Sequence, residues 1–143
     1  VLNAAGTRSA QVAAMAGLRL PVEPRKRLSI MFAAGNLGQD LPLVIEPNGV
    51  FVRTDGAYYL SGFTPDPDPA ADPDDFSMEE GAWEDHVWPT IAARIPAFER
   101  LRVLRTWVGQ YDYQTEDQNA VLGPHPEVPN LLTAAGFSGH GFQ

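Results

Sequence analysis

Leu43-Val44-Ile45, Val50-Phe51-Val52 and Tyr58-Tyr59-Leu60 are short apolar runs separated by Asn48-Gly49 and Asp55-Gly56. Asn-Gly and Asp-Gly tolerate the positive φ angles of tight hairpin turns. The spacing therefore predicts a three-strand antiparallel meander, with contiguous sheet over residues 43–63. Upstream of it, Arg27–Ala33 reads as a strand before a Gly35–Gly38 turn, and Pro21 and Pro24 bracket an extended piece. Further upstream, Leu2–Ala5 reads as a short buried strand ending at Gly6. Thr7-Arg8-Ser9 then supplies capping residues for an Ala-rich helix over Ala10–Ala16, stopped by Gly17.

Downstream, Thr64–Asp75 carries four prolines and five aspartates and excludes regular structure. A calcium loop would need regular ligand spacing and a Gly at the bend, and neither is present. A solvated surface loop is the expectation. Ser77-Met78-Glu79-Glu80 has the pattern of a capping box, with Ser77 as N-cap. The helix expected after it places Trp83, Val87, Ile91 and Ile95 on one buried stripe, kinked at Pro89 and ended by Pro96. His86, beside that stripe, reads as a partly buried polar residue. Leu101–Tyr113 reads as a long strand, and Asn130–Ala135 as a final strand. The pattern makes the fold class α+β and shows no internal repeat.

The composition, 44% hydrophobic and 20% charged, is that of an ordinary globular protein. The net charge of −8 is local. Residues 54–93 hold ten Asp or Glu and no Lys or Arg; the rest has ten basic against eight acidic residues, a net +2. No nucleic-acid partner is indicated. The Arg25-Lys26-Arg27 triplet is too short for such a footprint and reads as a solvated strand edge. The absence of cysteine excludes disulfides, thiolate metal sites and a cysteinyl link to a cofactor. No apolar run is long enough for a membrane span, and no metal site is expected. The opening, Val1-Leu2-Asn3-Ala4-Ala5-Gly6, reads like the interior of a strand, so both ends are expected to be boundaries of a piece.

Gly136-Phe137-Ser138-Gly139-His140-Gly141 places three glycines in six residues directly after an apolar strand. Glycines there let backbone approach a ligand without Cβ clashes. Spacing alone leaves two readings open, a cofactor loop and a flexible tail.

Together with the preceding Pro129–Ala135, that run resembles the C-terminal flavin loop of the D-amino-acid, glycine and sarcosine oxidase superfamily of FAD-dependent oxidoreductases. Asn3-Ala4-Ala5-Gly6 is similar to the family's strand that ends beside the FAD. Trp107–Tyr113, then Thr115, Asp117, Gln118-Asn119 and Gly123-Pro124-His125-Pro126, resemble a subgroup with mitochondrial and bacterial members. The resemblance runs the length of the chain.

What it implies is an antiparallel substrate domain over residues 18–128, flanked by remnants of the FAD-binding domain at 1–17 and 129–143. The two end strands would then be parallel neighbours, with open edges available for self-association. FAD would be bound noncovalently, with Ala5, Gly6, Gly136, Phe137, Ser138, Gly139, His140 and Gly141 as cofactor contacts. Hydride would pass to flavin from the carbon next to an amine, in a small amine or amino-acid substrate. Arg105 and Tyr111 are the candidate catalytic residues and Tyr113 and Gln143 the candidate substrate contacts: an Arg can pair with a carboxylate while a Tyr hydroxyl orients the amine. The competing reading of these aromatics is core packing on a central strand. His125, between two prolines, reads as a turn residue.

The sequence departs from the family in three places. The phosphate-binding Gly-x-Gly-x-x-Gly run is missing, so the chain alone is expected to bind FAD poorly and to be inactive. Gln143 stands where sarcosine oxidases carry a Lys, removing a cation for a substrate carboxylate. No Cys tethers the flavin. The alternative function is a non-catalytic assembly scaffold built on the same fold. The expected location is cytoplasmic, as for a bacterial relative.

Overall fold

The computed structural model describes every residue except 36, 38, 39, 142 and 143. The strands are β1 (Leu2–Asn3), β2 (Val22–Ala33), β3 (Val44–Ile45), β4 (Val50–Asp55), β5 (Tyr58–Phe63), β6 (Arg102–Gln114), β7 (Val121–Pro124) and β8 (Leu132–Ala135). The α-helices are α1 (Ser9–Met15) and α2 (Trp88–Arg94). A five-stranded sheet has the order β3-β4-β5-β2-β6, and a three-stranded one the order β1-β8-β7. The α+β class stands: mostly antiparallel sheet with few helices. No helix among the described residues is long and apolar enough to cross a membrane.

The chain forms two compact units, one of residues 1–26, 69–75 and 110–143, the other of residues 27–68 and 76–109. The second unit contains the meander. β3 pairs antiparallel with β4, and β4 with β5 from Val50↔Phe63 to Asp55↔Tyr58. Gly49 and Gly56, at φ +81° and +62°, supply the left-handed turn positions expected of them. The Gly35–Gly38 turn falls partly outside the described residues. Alternation then decides the core. Leu28, Ile30 and Phe32 of β2 meet Val50, Val52, Tyr59 and Phe63 from one side, with Val87, Ile91 and Phe98 closing over them. The Phe32 ring lies 5.1 Å from Phe98, edge-on, and 5.5 Å from Tyr59, stacked.

The helical stripe forms as expected, but its start does not. Ser77 is not the N-cap; residues 77–79 have no helical structure, and Gly81, in the left-handed conformation, is the N-cap residue. Ala82–Val87 is a π-helical turn, in which the Trp88 N–H reaches Trp83 O, and α2 follows with Pro89 in its first turn. Proline has no N–H to offer Asp85 O and its ring crowds that carbonyl, so the wider turn accommodates it. Pro96 ends the helix, with Ile95 extended before it. His86 is a correction: it is exposed, its ring stacked on Phe63 at 5.7 Å.

In the first unit the two ends of the chain meet. β1 runs parallel to β8, Leu2 opposite Leu132 and Asn3 opposite Thr133. β8 pairs antiparallel with β7, a strand that the sequence reading did not place. Pro124 is tolerated there because β7 is an edge strand with no outward donor to satisfy. Asn3, Thr133 and Ala135 are buried, while Leu2, Leu122 and Leu132 on the opposite face are exposed. α1 begins at Ser9, after a 3₁₀ turn over Gly6–Arg8, and no side chain caps it. Instead Asn3 Nδ2 donates to Ser9 O at 2.9 Å, tying the helix to β1.

The solvated basic edge is corrected, whereas residues 64–75 form the expected surface loop, with no residue buried. β2 lies inside the five-strand order, and its Arg25 and Arg27 side chains are only 15% and 11% exposed. Opposite charges drawn from distant sequence hold these segments together. In the second unit Arg27 pairs with Asp68 through both carboxylate oxygens, at 2.8 and 2.7 Å. In the first unit residues 69–75 form a strap. Asp74 pairs with Arg8, Asp75 with Lys26 at 2.8 Å, and Ala71 N–H donates to Pro24 O at 2.9 Å. Gln110 Nε2 bonds the carbonyls of both Asp72 and Asp75 at 2.8 Å.

Candidate functional site

Where β8 runs out, Gly136, Ser138 and Gly139 take φ values of +77°, +51° and +90°. Their amides do not all face the same way. Gly136 N–H donates to Asp112 Oδ2 at 2.8 Å, Ser138 N–H to Asp112 O at 3.1 Å, and His140 N–H to Phe137 O at 2.8 Å. The Ser138 hydroxyl accepts the Gln114 N–H at 3.0 Å and donates to Gly136 O at 3.2 Å, which supports a left-handed residue that is not glycine. The amides of Phe137, Gly139 and Gly141 have no protein partner among the described residues. Gly136 and Ser138 tie the loop to Asp112 and His140 closes a turn within it, while the odd-numbered residues keep their donors without a protein partner.

Those odd-numbered residues line a cleft of about 540 Å³ within the first unit. Ala4, Gly6 and Ala134 form one part of the wall and Gln110, Tyr111 and Asp112 of β6 another. The two glycines most tightly placed differ in what they pack against. A Cβ on Gly136 would lie 3.1 Å from the Gln114 side chain and 3.2 Å from Val22. A Cβ on Gly139 would lie 2.5 Å from the Tyr111 ring. So the loop is moulded onto β6, with backbone close to whatever fills the cleft. Asp112 is the only charged side chain among the described lining residues.

The cleft gathers Gly6, Phe137, Gly139, Gly141 and Tyr111 from the sequence-predicted residues. Gly136 and Ser138 stand behind them, their donors turned inward. Ala5 is exposed, with its carbonyl accepting Arg8 N–H, and His140 is exposed as well. Tyr113 lies under the Arg25 guanidinium, 4.9 Å from its ring centre, and is not a lining residue. Arg105 belongs to the second unit, its guanidinium over Trp107 at 5.4 Å. Gln143 lies outside the described residues. His125 occupies a turn, its Nδ1 accepting Glu127 N–H at 3.2 Å. No cluster of metal-ligating side chains occurs among the described residues. Ala4, Gln110, Asp112 and Ala134 were not anticipated. The Tyr111-Asp112-Tyr113 run held a signal for one of them: a carboxylate on β6 is a natural acceptor for loop amides.

A planar ring suits this wall: three amides without a protein partner, small residues and two aromatic side chains, Tyr111 and Phe137. The sequence profile of FAD dependent oxidoreductases matches residues 1–143. The chain belongs to this family. Among individual relatives, FAD-dependent oxidoreductase domain-containing protein 1 of Bos taurus is 41% identical over 100% of the chain and 32% of its own length. The homologous protein of Drosophila melanogaster is 33% identical over 97% of the chain and 29% of its own length. The chain thus spans about a third of the relatives it matches. Among solved structures, L-proline dehydrogenase from P. horikoshii superposes with a TM-score of 0.85 at 28% identity, covering 99% of this chain and 38% of that one. Glycine oxidase from Geobacillus kaustophilus gives 0.80 at 28%, covering 96% and 35%.

Proposed function

We propose that this chain supplies the flavin-ring loop and much of the substrate side of an FAD-dependent oxidoreductase that oxidises the C–N bond of an amine or amino acid. The observation that carries the reading is the alternation of loop amides: Phe137, Gly139 and Gly141, which line the cleft, have amides without a protein partner, while those of Gly136, Ser138 and His140 are bonded. Bound FAD would supply the redox chemistry, taking a hydride from the carbon next to nitrogen. The outward amides would favour negative charge on the ring. Tyr111, at the wall, would orient the ligand through its hydroxyl, with Arg105 and Tyr113 as further candidates for substrate contact. The parallel pairing of β1 and β8 supports assigning residues 1–17 and 129–143 to the FAD-binding portion and 18–128 to the substrate portion.

The amine assignment draws on the two solved structures at 28% identity, named for proline and glycine, each substrate having nitrogen on the carbon beside a carboxylate. The chain has no Gly-x-Gly-x-x-Gly run, so the pyrophosphate must be held by other parts of the protein. Anaerobic mixing of the full-length holoprotein with a panel of primary, secondary and α-carboxylated amines is expected to bleach its flavin absorbance with at least one of them. Flavin that none of the panel reduces, while dithionite does, would contradict the amine assignment and favour a non-catalytic scaffold.

A further inference from the structure

Asp112 bonds the loop with both its main chain and its side chain. Its carbonyl accepts Ser138 N–H at 3.1 Å and its carboxylate accepts Gly136 N–H at 2.8 Å. The first bond survives any substitution at 112, as does the bond from Gln114 N–H to the Ser138 hydroxyl. The second is the side chain's own. Gly136 is the residue at which the chain leaves β8 and turns to φ +77°. The direction of its N–H therefore sets the phase of the alternation that follows. If that donor is released, the peptide can rotate and the alternation of bonded and unbonded amides along the loop is no longer fixed.

We infer that Asp112 is a positioning residue for the cofactor loop, acting through the Gly136 amide to hold the neighbouring donors toward the cleft. The inference rests on reading residues 136–141 as the flavin loop. The chemistry asks only for an acceptor at Oδ2, so asparagine, whose amide oxygen can occupy that place, should serve nearly as well, whereas alanine cannot. Removing the acceptor leaves a part-buried donor unsatisfied, a cost that falls on the loop conformation and is read out as weaker cofactor binding.

The test uses full-length protein, wild type and the variants Asp112→Ala and Asp112→Asn, each checked for cooperative unfolding. Amide exchange at Gly136 in the flavin-free form is expected to quicken in Asp112→Ala and to match wild type in Asp112→Asn. FAD titration is expected to show affinity lowered roughly tenfold in Asp112→Ala and changed less than about threefold in Asp112→Asn. Equal loss in both variants would overturn the inference, since an acceptor would then not be what matters. So would an Asp112→Ala protein with Gly136 exchange and FAD affinity like wild type. Wild-type protein that takes up no FAD would overturn the flavin reading itself, while the exchange comparison would still decide the clamp.

Discussion

Full-length protein carrying Gly139→Val is expected to lose at least tenfold in FAD affinity while remaining folded. Two costs add at this position. Gly139 has φ +90°, where a β-branched residue is strained by about 1–3 kcal/mol. Its Cβ would also lie 2.5 Å from Tyr111 Cε2 and 2.7 Å from Cζ, so the ring or the loop must move. Gly139 and Tyr111 both line the cleft, and either movement alters the surface proposed to meet the flavin. Gly56→Ala is the matched control. It also places a side chain at positive φ, +62°, but a Cβ there meets nothing within 4 Å, and it belongs to a hairpin of the second unit. It should lower stability modestly and leave FAD affinity unchanged. Pairing Gly139→Val with Tyr111→Ala should recover part of the lost affinity by relieving the clash but not the backbone strain. Titration of apoprotein by flavin fluorescence measures the three variants against wild type, and full affinity in Gly139→Val would mean that this loop does not face the cofactor.

The second large effect separates the 143-residue chain from the full-length protein. Purified with FAD and then desalted, the chain is expected to be colourless and inactive, and the full-length protein yellow. The loop has three amides without a protein partner for the proposed ring contacts, but most of the affinity for a dinucleotide comes from a backbone nest and helix N-terminus around its pyrophosphate. The chain has no glycine run of that kind. Flavin absorbance in stoichiometric amount after desalting of the 143-residue chain would show that the ring contacts alone suffice.

The parts of this fold that are local in sequence were legible there. Asn48-Gly49 and Asp55-Gly56 fix two hairpins by turn chemistry alone, and the four-residue spacing from Trp83 to Ile95 identifies a buried face. The Ser77 capping box failed because Gly81 and Pro89 together dictate where the helix can start and how its first turn is wound. Ion pairing between Arg27 and Asp68, or Lys26 and Asp75, joins residues more than forty positions apart and leaves no trace in local spacing. The same holds for the site. The glycines at 136, 139 and 141 announced a close backbone approach, and the parallel meeting of the chain's ends followed from family resemblance, not from either strand's own pattern. Which amides face outward depends on Asp112, 24 residues from Gly136. Strand alternation puts Asp112 on the opposite face of β6 from Tyr111, so attention to the aromatic face passed over it, although the loop packs against both.

The most direct test of the flavin-loop assignment is residue-resolved amide exchange of full-length protein with and without FAD. The account predicts strong protection on FAD binding at Phe137, Gly139 and Gly141, whose donors are open in the chain. Gly136 and Ser138, already bonded to Asp112, should change little. Protection confined to other parts of the protein, with the three outward amides exchanging at the same rate in both forms, would contradict it.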